Sequence, residues 1–133
     1  MISSDNEEYK IKFYKKARTN ESPVLEYIKK LEKKQRAKVL KYIEFLRMNQ
    51  GILDEPYSKH IKEKIRELRI DFSSNRHRIF YFTFIGKNII MLHAFLKKTS
   101  KTPLAEIKKA EENYQEILKN HKIYEKQKNA KRR

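Results

Sequence analysis

Tyr9, Ile11 and Phe13 alternate with lysines, and this period of two predicts a strand over residues 9–16 with one buried face. The period then changes. Residues 18–23 read as a turn into a helix, with Ser22 at the N-cap and Pro23 at the first helical position, where its missing N–H costs nothing. Val24, Leu25, Ile28 and Leu31 follow at helical spacing, and a second helical pattern runs through Ala37, Leu40, Ile43 and Leu46 to Met48. Gly51 is placed to end that helix in the left-handed region. The connector 52–60 contains Pro56, and no regular element is expected in it.

From Ile65 onward, Leu68, Ile70 and Phe72 alternate with Glu67, Arg69 and Asp71, which predicts a half-buried strand. Residues 73–75 form a polar turn. Residues 78–85 are apolar on both faces, as a central strand requires. After a reversal at Gly86-Lys87-Asn88, residues 89–95 form another apolar strand, so three strands make an antiparallel meander. Thr102-Pro103 opens a last helix, with Leu104, Ile107, Ala110, Tyr114, Ile117 and Leu118 on one face to about Asn120. Beyond it the chain is polar, and fraying is expected because little apolar surface offsets the ordering entropy. The expected fold class is α+β, an antiparallel sheet with an N-terminal helical hairpin and a C-terminal helix. The expected domain is 1–120, with a basic tail over 121–133.

Charge adds the first functional constraint. Lys and Arg number 33 against 17 Asp and Glu, a net +16 over 133 residues. Solubility of a small domain needs only about 2–8 net charges; the physical partner of a larger field is a phosphate polymer, whose released counterions drive association. The absence of cysteine excludes a disulfide framework and thiolate metal sites, and two isolated glycines exclude a Gly-rich phosphate loop or a nucleophile elbow. His60, His77, His93 and His121 show no ligand spacing, so no metal or cofactor is expected. No apolar run approaches the roughly 18 residues of a membrane span, and the acidic start lacks the features of a signal peptide. A cytoplasmic chain without a membrane partner is expected.

Polar residues interrupting the apolar strands are the candidate chemistry. Arg69 sits mid-strand opposite in parity to Leu68 and Ile70, Arg78 opens the most apolar strand, His93 lies within the last one, and Lys97-Lys98 end it. Basic groups converging on one sheet surface bind a phosphodiester and stabilise the extra charge of a pentacovalent transition state. The alternative is that Arg69 pairs with Glu67 or Asp71, that Lys97-Lys98 are solvated ends and that His93 is a half-buried structural residue. Tyr27, Tyr57 and Tyr81 are aromatic candidates for base stacking, with Tyr81 in a central strand better suited to the core.

The runs Ser22-Pro23-Val24-Leu25, Glu55-Pro56-Tyr57-Ser58-Lys59-His60 and Glu67-Leu68-Arg69-Ile70 occur together with His77-Arg78-Ile79-Phe80-Tyr81-Phe82 and with residues 93–103, His-Ala-Phe-Leu-Lys-Lys-Thr-Ser-Lys-Thr-Pro. In this combination the chain resembles the phage-derived, HigB-like branch of the RelE/ParE toxin superfamily over about residues 9–114. The resemblance implies a metal-independent endoribonuclease, the toxin of a type II toxin–antitoxin system, that cleaves mRNA in the ribosomal A site through attack of the ribose 2′-hydroxyl. It implies as partners the ribosome, mRNA and an antitoxin, often a helix-turn-helix protein. By position, Arg78 corresponds to the arginine that contacts the scissile phosphate, Arg69 to a basic strand position, and Lys97 or Lys98 to the basic residue after the last strand. Lys62, Lys64, Arg76 and Lys101 are further candidates for substrate contact. The catalytic tyrosine of RelE-type relatives would fall near Leu104, which leaves the general acid open, with His93 the candidate. The same scaffold hosts ParE-like gyrase inhibitors that cut nothing, and a degenerate nucleic-acid- or antitoxin-binding module is a third possibility.

Overall fold

The computed structural model describes residues 8–84 and 86–125. The elements in chain order are β1 (Lys10–Phe13), α1 (Pro23–Lys29), α2 (Lys33–Met48), β2 (Ser58–Lys62), β3 (Ile65–Phe72), β4 (Asn75–Phe84), β5 (Asn88–Lys97) and α3 (Leu104–Lys119). The α+β class is as expected. One five-stranded sheet has the order β1-β5-β4-β3-β2, with β1 parallel to β5 and the other neighbours antiparallel.

The chain's alternation divides the core in two. Leu68, Ile70, Ile79, Tyr81, Ile89 and Met91 project to one face, against Val24 and Ile28 of α1 and Val39, Ile43 and Leu46 of α2. Ile65, Phe80, Phe82, Ile90, Leu92 and Phe95 project to the other, against Ala110, Tyr114 and Ile117 of α3. The pairing of β4 with β5 shifts between Phe80 and Tyr81, which face His93 and Met91. Leu92 is the extra residue of this bulge, and so Leu92 packs toward α3 next to His93, which hydrogen-bonds α3. Gly51 ends the α2 segment at φ +87°, its N–H on the Leu46 carbonyl (2.9 Å); a Cβ there would lie 2.5 Å from Thr83 Oγ1.

Several local expectations change. β2 begins inside the connector 52–60, where no element is expected, and runs past it to Lys62. Ser58-Lys59-His60-Ile61-Lys62 is an outer strand held to β3 by backbone pairing, so it carries no apolar alternation. Ser22 precedes α1 as expected, but its buried hydroxyl makes no cap bond. Pro103, not Thr102, holds the N-cap position of α3. Leu104 is 82% exposed and Leu118 39%, so the buried stripe of α3 is Ile107, Ala110, Tyr114 and Ile117. Packing also continues past Asn120: Tyr124, in a further helical turn, is buried with Tyr14 and accepts a hydrogen bond from the Lys15 N–H (3.1 Å). Residues 126–133 of the expected tail lie outside the described residues. No helix among the described residues is long and apolar enough to cross a membrane.

Candidate nucleic-acid interface

Register builds the site. Arg69 of β3 pairs with Arg78 of β4, Asp71 with Arg76, and Arg76 in turn with Lys97 of β5. Glu67 and Arg69 on β3, Arg76 and Arg78 on β4 and Lys97 on β5 therefore share the α3 side of the sheet, beyond the part that α3 covers. Directly opposed strand residues have Cβ atoms about 5 Å apart, where like charges repel. Two carboxylates separate the cations. Glu67, fully buried, accepts from Arg69 Nε (3.0 Å) and from Thr102 Oγ1 (3.2 Å). Asp71, largely exposed, accepts from Arg78 Nη1 (2.7 Å). Four cations against two carboxylates leave the patch positive.

The four basic residues differ in reach. Arg78 is only 5% exposed: Nη1 also donates to the His77 carbonyl (3.0 Å), and its buried Nε has no partner among the described residues. Its charge thus underlies the patch instead of projecting from it. Arg69, Arg76 and Lys97 are each partly buried and reach the surface. Burial holds the Lys97 ammonium below its ordinary pKa; Glu67 opposes this, and Arg78, Arg69 and Arg76 add to it. Lys97 is thus the member of the cluster whose hold on its proton is weakened.

The remaining sequence candidates separate from this group. Lys98 is exposed just past the end of β5, so strand parity assigns Lys97, not Lys98, to the cluster. Lys101 is exposed in the loop beside Thr102, at the rim. Lys62 pairs with Glu111 of α3 (2.6 Å), and Lys64 occupies the β2–β3 turn. Five extended residues, about 16 Å, separate Lys64 from Arg69, so neither Lys62 nor Lys64 joins the cluster. His93 faces α3, where Nε2 donates to Glu106 Oε1 (2.6 Å) and the ring stacks on Phe80 and Phe95. Four residue steps along β5, about 13 Å, separate His93 from Lys97. Of the two carboxylates that the sequence offered Arg69, Glu67 is its partner while Asp71 pairs with Arg78, and Arg69 keeps its place in the basic cluster.

Sequence reasoning missed the Thr102–Glu67 contact, because Thr-Pro before a helix reads as a cap. It also missed the network behind the sheet. Gln35 Oε1 accepts from His77 Nε2 (2.7 Å) and Asn75 Nδ2 (3.2 Å), which puts the His77 proton on Nε2 and leaves Nδ1 to accept the Tyr27 hydroxyl (2.7 Å). Burial, then the neighbouring charge of Arg78, lowers the His77 pKa; burial pushes the Tyr27 phenol up to about 12. Among the described residues no three His, Asp or Glu side chains gather where they could hold a metal ion.

The family model of phage-derived Gp49-like proteins matches residues 26–115, a span that holds the whole cluster and most of the chain. The chain belongs to the Gp49-like family. No curated protein matches it. The Gp49-like region begins within α1 and ends within α3, so β1 and Tyr124 lie beyond the match.

Proposed function

We propose that this Gp49-like chain is the toxin of a type II toxin–antitoxin system, a cytoplasmic, ribosome-dependent mRNA endoribonuclease. One observation carries the proposal: Arg69, Arg76, Arg78 and Lys97 stand in adjacent register on one face of the sheet. Its net charge and its resemblance to HigB-like toxins support the same reading. Arg69, Arg76 and Lys97, which reach the surface, grip the phosphodiester, and buried Arg78 supplies positive potential beneath it. Attack of the 2′-hydroxyl on the adjacent phosphorus forms the 2′,3′-cyclic phosphate and breaks the P–O5′ bond. The proton lost by the 2′-hydroxyl is taken up by solvent or a basic group, and one proton is delivered to O5′. Lys97 is the proton donor of choice within the cluster. Such a surface without a second titrating partner is a weak free nuclease, and alignment of mRNA by the ribosome supplies the orientation, worth several orders of magnitude in rate.

The internal pairing of Arg69 with Glu67 and Arg78 with Asp71 favours a second reading, a ParE-like gyrase inhibitor that cuts nothing. Primer extension on a defined mRNA in a reconstituted translation reaction, with and without ribosomes, separates the two. Ribosome-dependent cuts are expected with wild type, reduced at least tenfold by Lys97→Ala and by Arg76→Ala. Intact mRNA under a wild-type protein that stops growth would overturn the nuclease and point to gyrase.

A further inference from the structure

Strand β2 ends before β3 does. Arg69 N donates to the Tyr57 carbonyl (2.9 Å), just before β2 begins at Ser58, and beyond that point β3 is the edge of the sheet. A shallow hollow opens there, lined by Lys38 and Tyr42 of α2, Pro56 and Tyr57 of the preceding turn, and Arg69 and Asp71 of β3. Tyr42 and Tyr57 meet edge to face with centroids 6.0 Å apart, and Tyr57 is 48% exposed. The Lys38 ammonium sits 5.5 Å over the Tyr42 ring and donates to the Asp71 carbonyl, which keeps the hollow's α2 wall in place.

We propose that this hollow is a nucleobase site, seating the base next to a phosphate held at Arg69. The inference rests on the RNA reading above and extends it to a subsite. Arg69 both lines the hollow and belongs to the cationic cluster, so the aromatic surface borders the cluster at the edge of β3. Aromatic side chains stack on unpaired bases whatever their identity, and the cluster beside them tracks the backbone. Tyr14, Tyr81, Tyr114 and Tyr124 are buried in the cores, whereas Tyr57 is about half exposed at the hollow that Arg69 also lines. The chemistry favours a base over an acidic peptide. Asp71 lines the hollow and its side chain is 60% exposed, so its negative charge disfavours a peptide carboxylate more than a neutral base.

The test is fluorescence anisotropy with a labelled single-stranded oligoribonucleotide and an abasic counterpart carrying the same number of phosphates, at physiological ionic strength. Wild type is expected to bind the intact strand about tenfold more tightly, the lower range of one stacked base. Tyr57→Ala should abolish that preference by weakening only the intact strand, and Tyr57→Phe should retain it. Circular dichroism melts check that each variant is folded. Equal affinity of wild type for the two strands, or a Tyr57→Ala loss shared by both, overturns the nucleobase site. If Arg76→Ala weakens both strands while Tyr57→Ala weakens neither, the RNA reading stands and the subsite alone falls. If Arg76→Ala and Lys97→Ala change neither, the RNA reading itself fails. An acidic peptide that needs Tyr57 for binding, alongside equal affinity for the two strands, would assign the hollow to a protein partner and overturn the proposal.

Discussion

The two faces of the sheet are built from the same strands and end in opposite conditions. On the α1/α2 side, Ile79, Tyr81, Leu68 and Met91 are sealed by two helices, and the polar end of Tyr81 is paired: its hydroxyl donates to the Gly51 carbonyl (3.1 Å) and meets Ser58 Oγ (2.8 Å). On the α3 side, a single helix covers Phe80, Phe82 and Leu92, and the strands run on into buried Arg78 and the partly exposed Arg69, Arg76 and Lys97. One face is arranged for burial. The other gives up burial for a charged surface, and its carboxylates at Glu67 and Asp71 limit the repulsion that surface entails. Stability and binding are therefore separable by face.

Substitutions can break that separation. The largest stability effect should come from Ile79→Ala on the sealed face. Ile79 is fully buried, and truncation there should cost about 2–5 kcal/mol in denaturant unfolding. Arg76→Ala, on the same strand β4 but facing the α3 side, should stay within about 0.5 kcal/mol of wild type while weakening RNA binding. Equal destabilisation by the two would show that the faces are not separable. Tyr124→Ala tests how far the α3 side depends on the chain beyond α3, and about 2 kcal/mol should be lost with its buried ring. An unchanged unfolding midpoint would make this last turn dispensable.

The smallest effect concerns pH. His77 is held below the ordinary histidine pKa by burial and by Arg78, so the fold favours its neutral form. That contribution is complete above the unfolded-chain value of about 6.5 and is lost as the pH falls toward the folded value. Between about pH 7 and about pH 5, wild type should lose more stability than His77→Gln, which keeps a side chain able to meet Tyr27 or Gln35. Parallel pH profiles would show that His77 does not titrate in the transition.

Much of this contrast is legible in the sequence, where the alternation about Arg69 and Arg78 separates two sets of side chains by parity. The meander, the helix after Pro23 and the stop at Gly51 follow from local rules. What escapes is set by pairing between distant residues. β2 shows no apolar period because its place at the edge is fixed by backbone hydrogen bonds. Tyr124 is a lone aromatic in a polar run, and only its contact with Tyr14 and Lys15 makes it part of the core. The site was partly legible: Arg69, Arg78 and Lys97 converge, as parity implies. Arg78 being paired and buried, Lys62 turning to Glu111, and Thr102 binding Glu67 all depend on where α3 and Asp71 lie in three dimensions.

The parallel pairing of β1 with β5 joins Lys10 to Asn88 and Phe13 to Met91, the opening strand to the last. Lys97 closes the same strand that β1 needs. During synthesis, a chain whose β5 is still inside the ribosome's exit tunnel has neither a partner for β1 nor the third strand of the cationic cluster. Pairing between such distant segments is also slow, since loop-closure entropy must be met before the contact stabilises anything. Completion of the sheet and assembly of the charged surface are thus one late event, and a truncated or stalled nascent chain carries no finished binding surface.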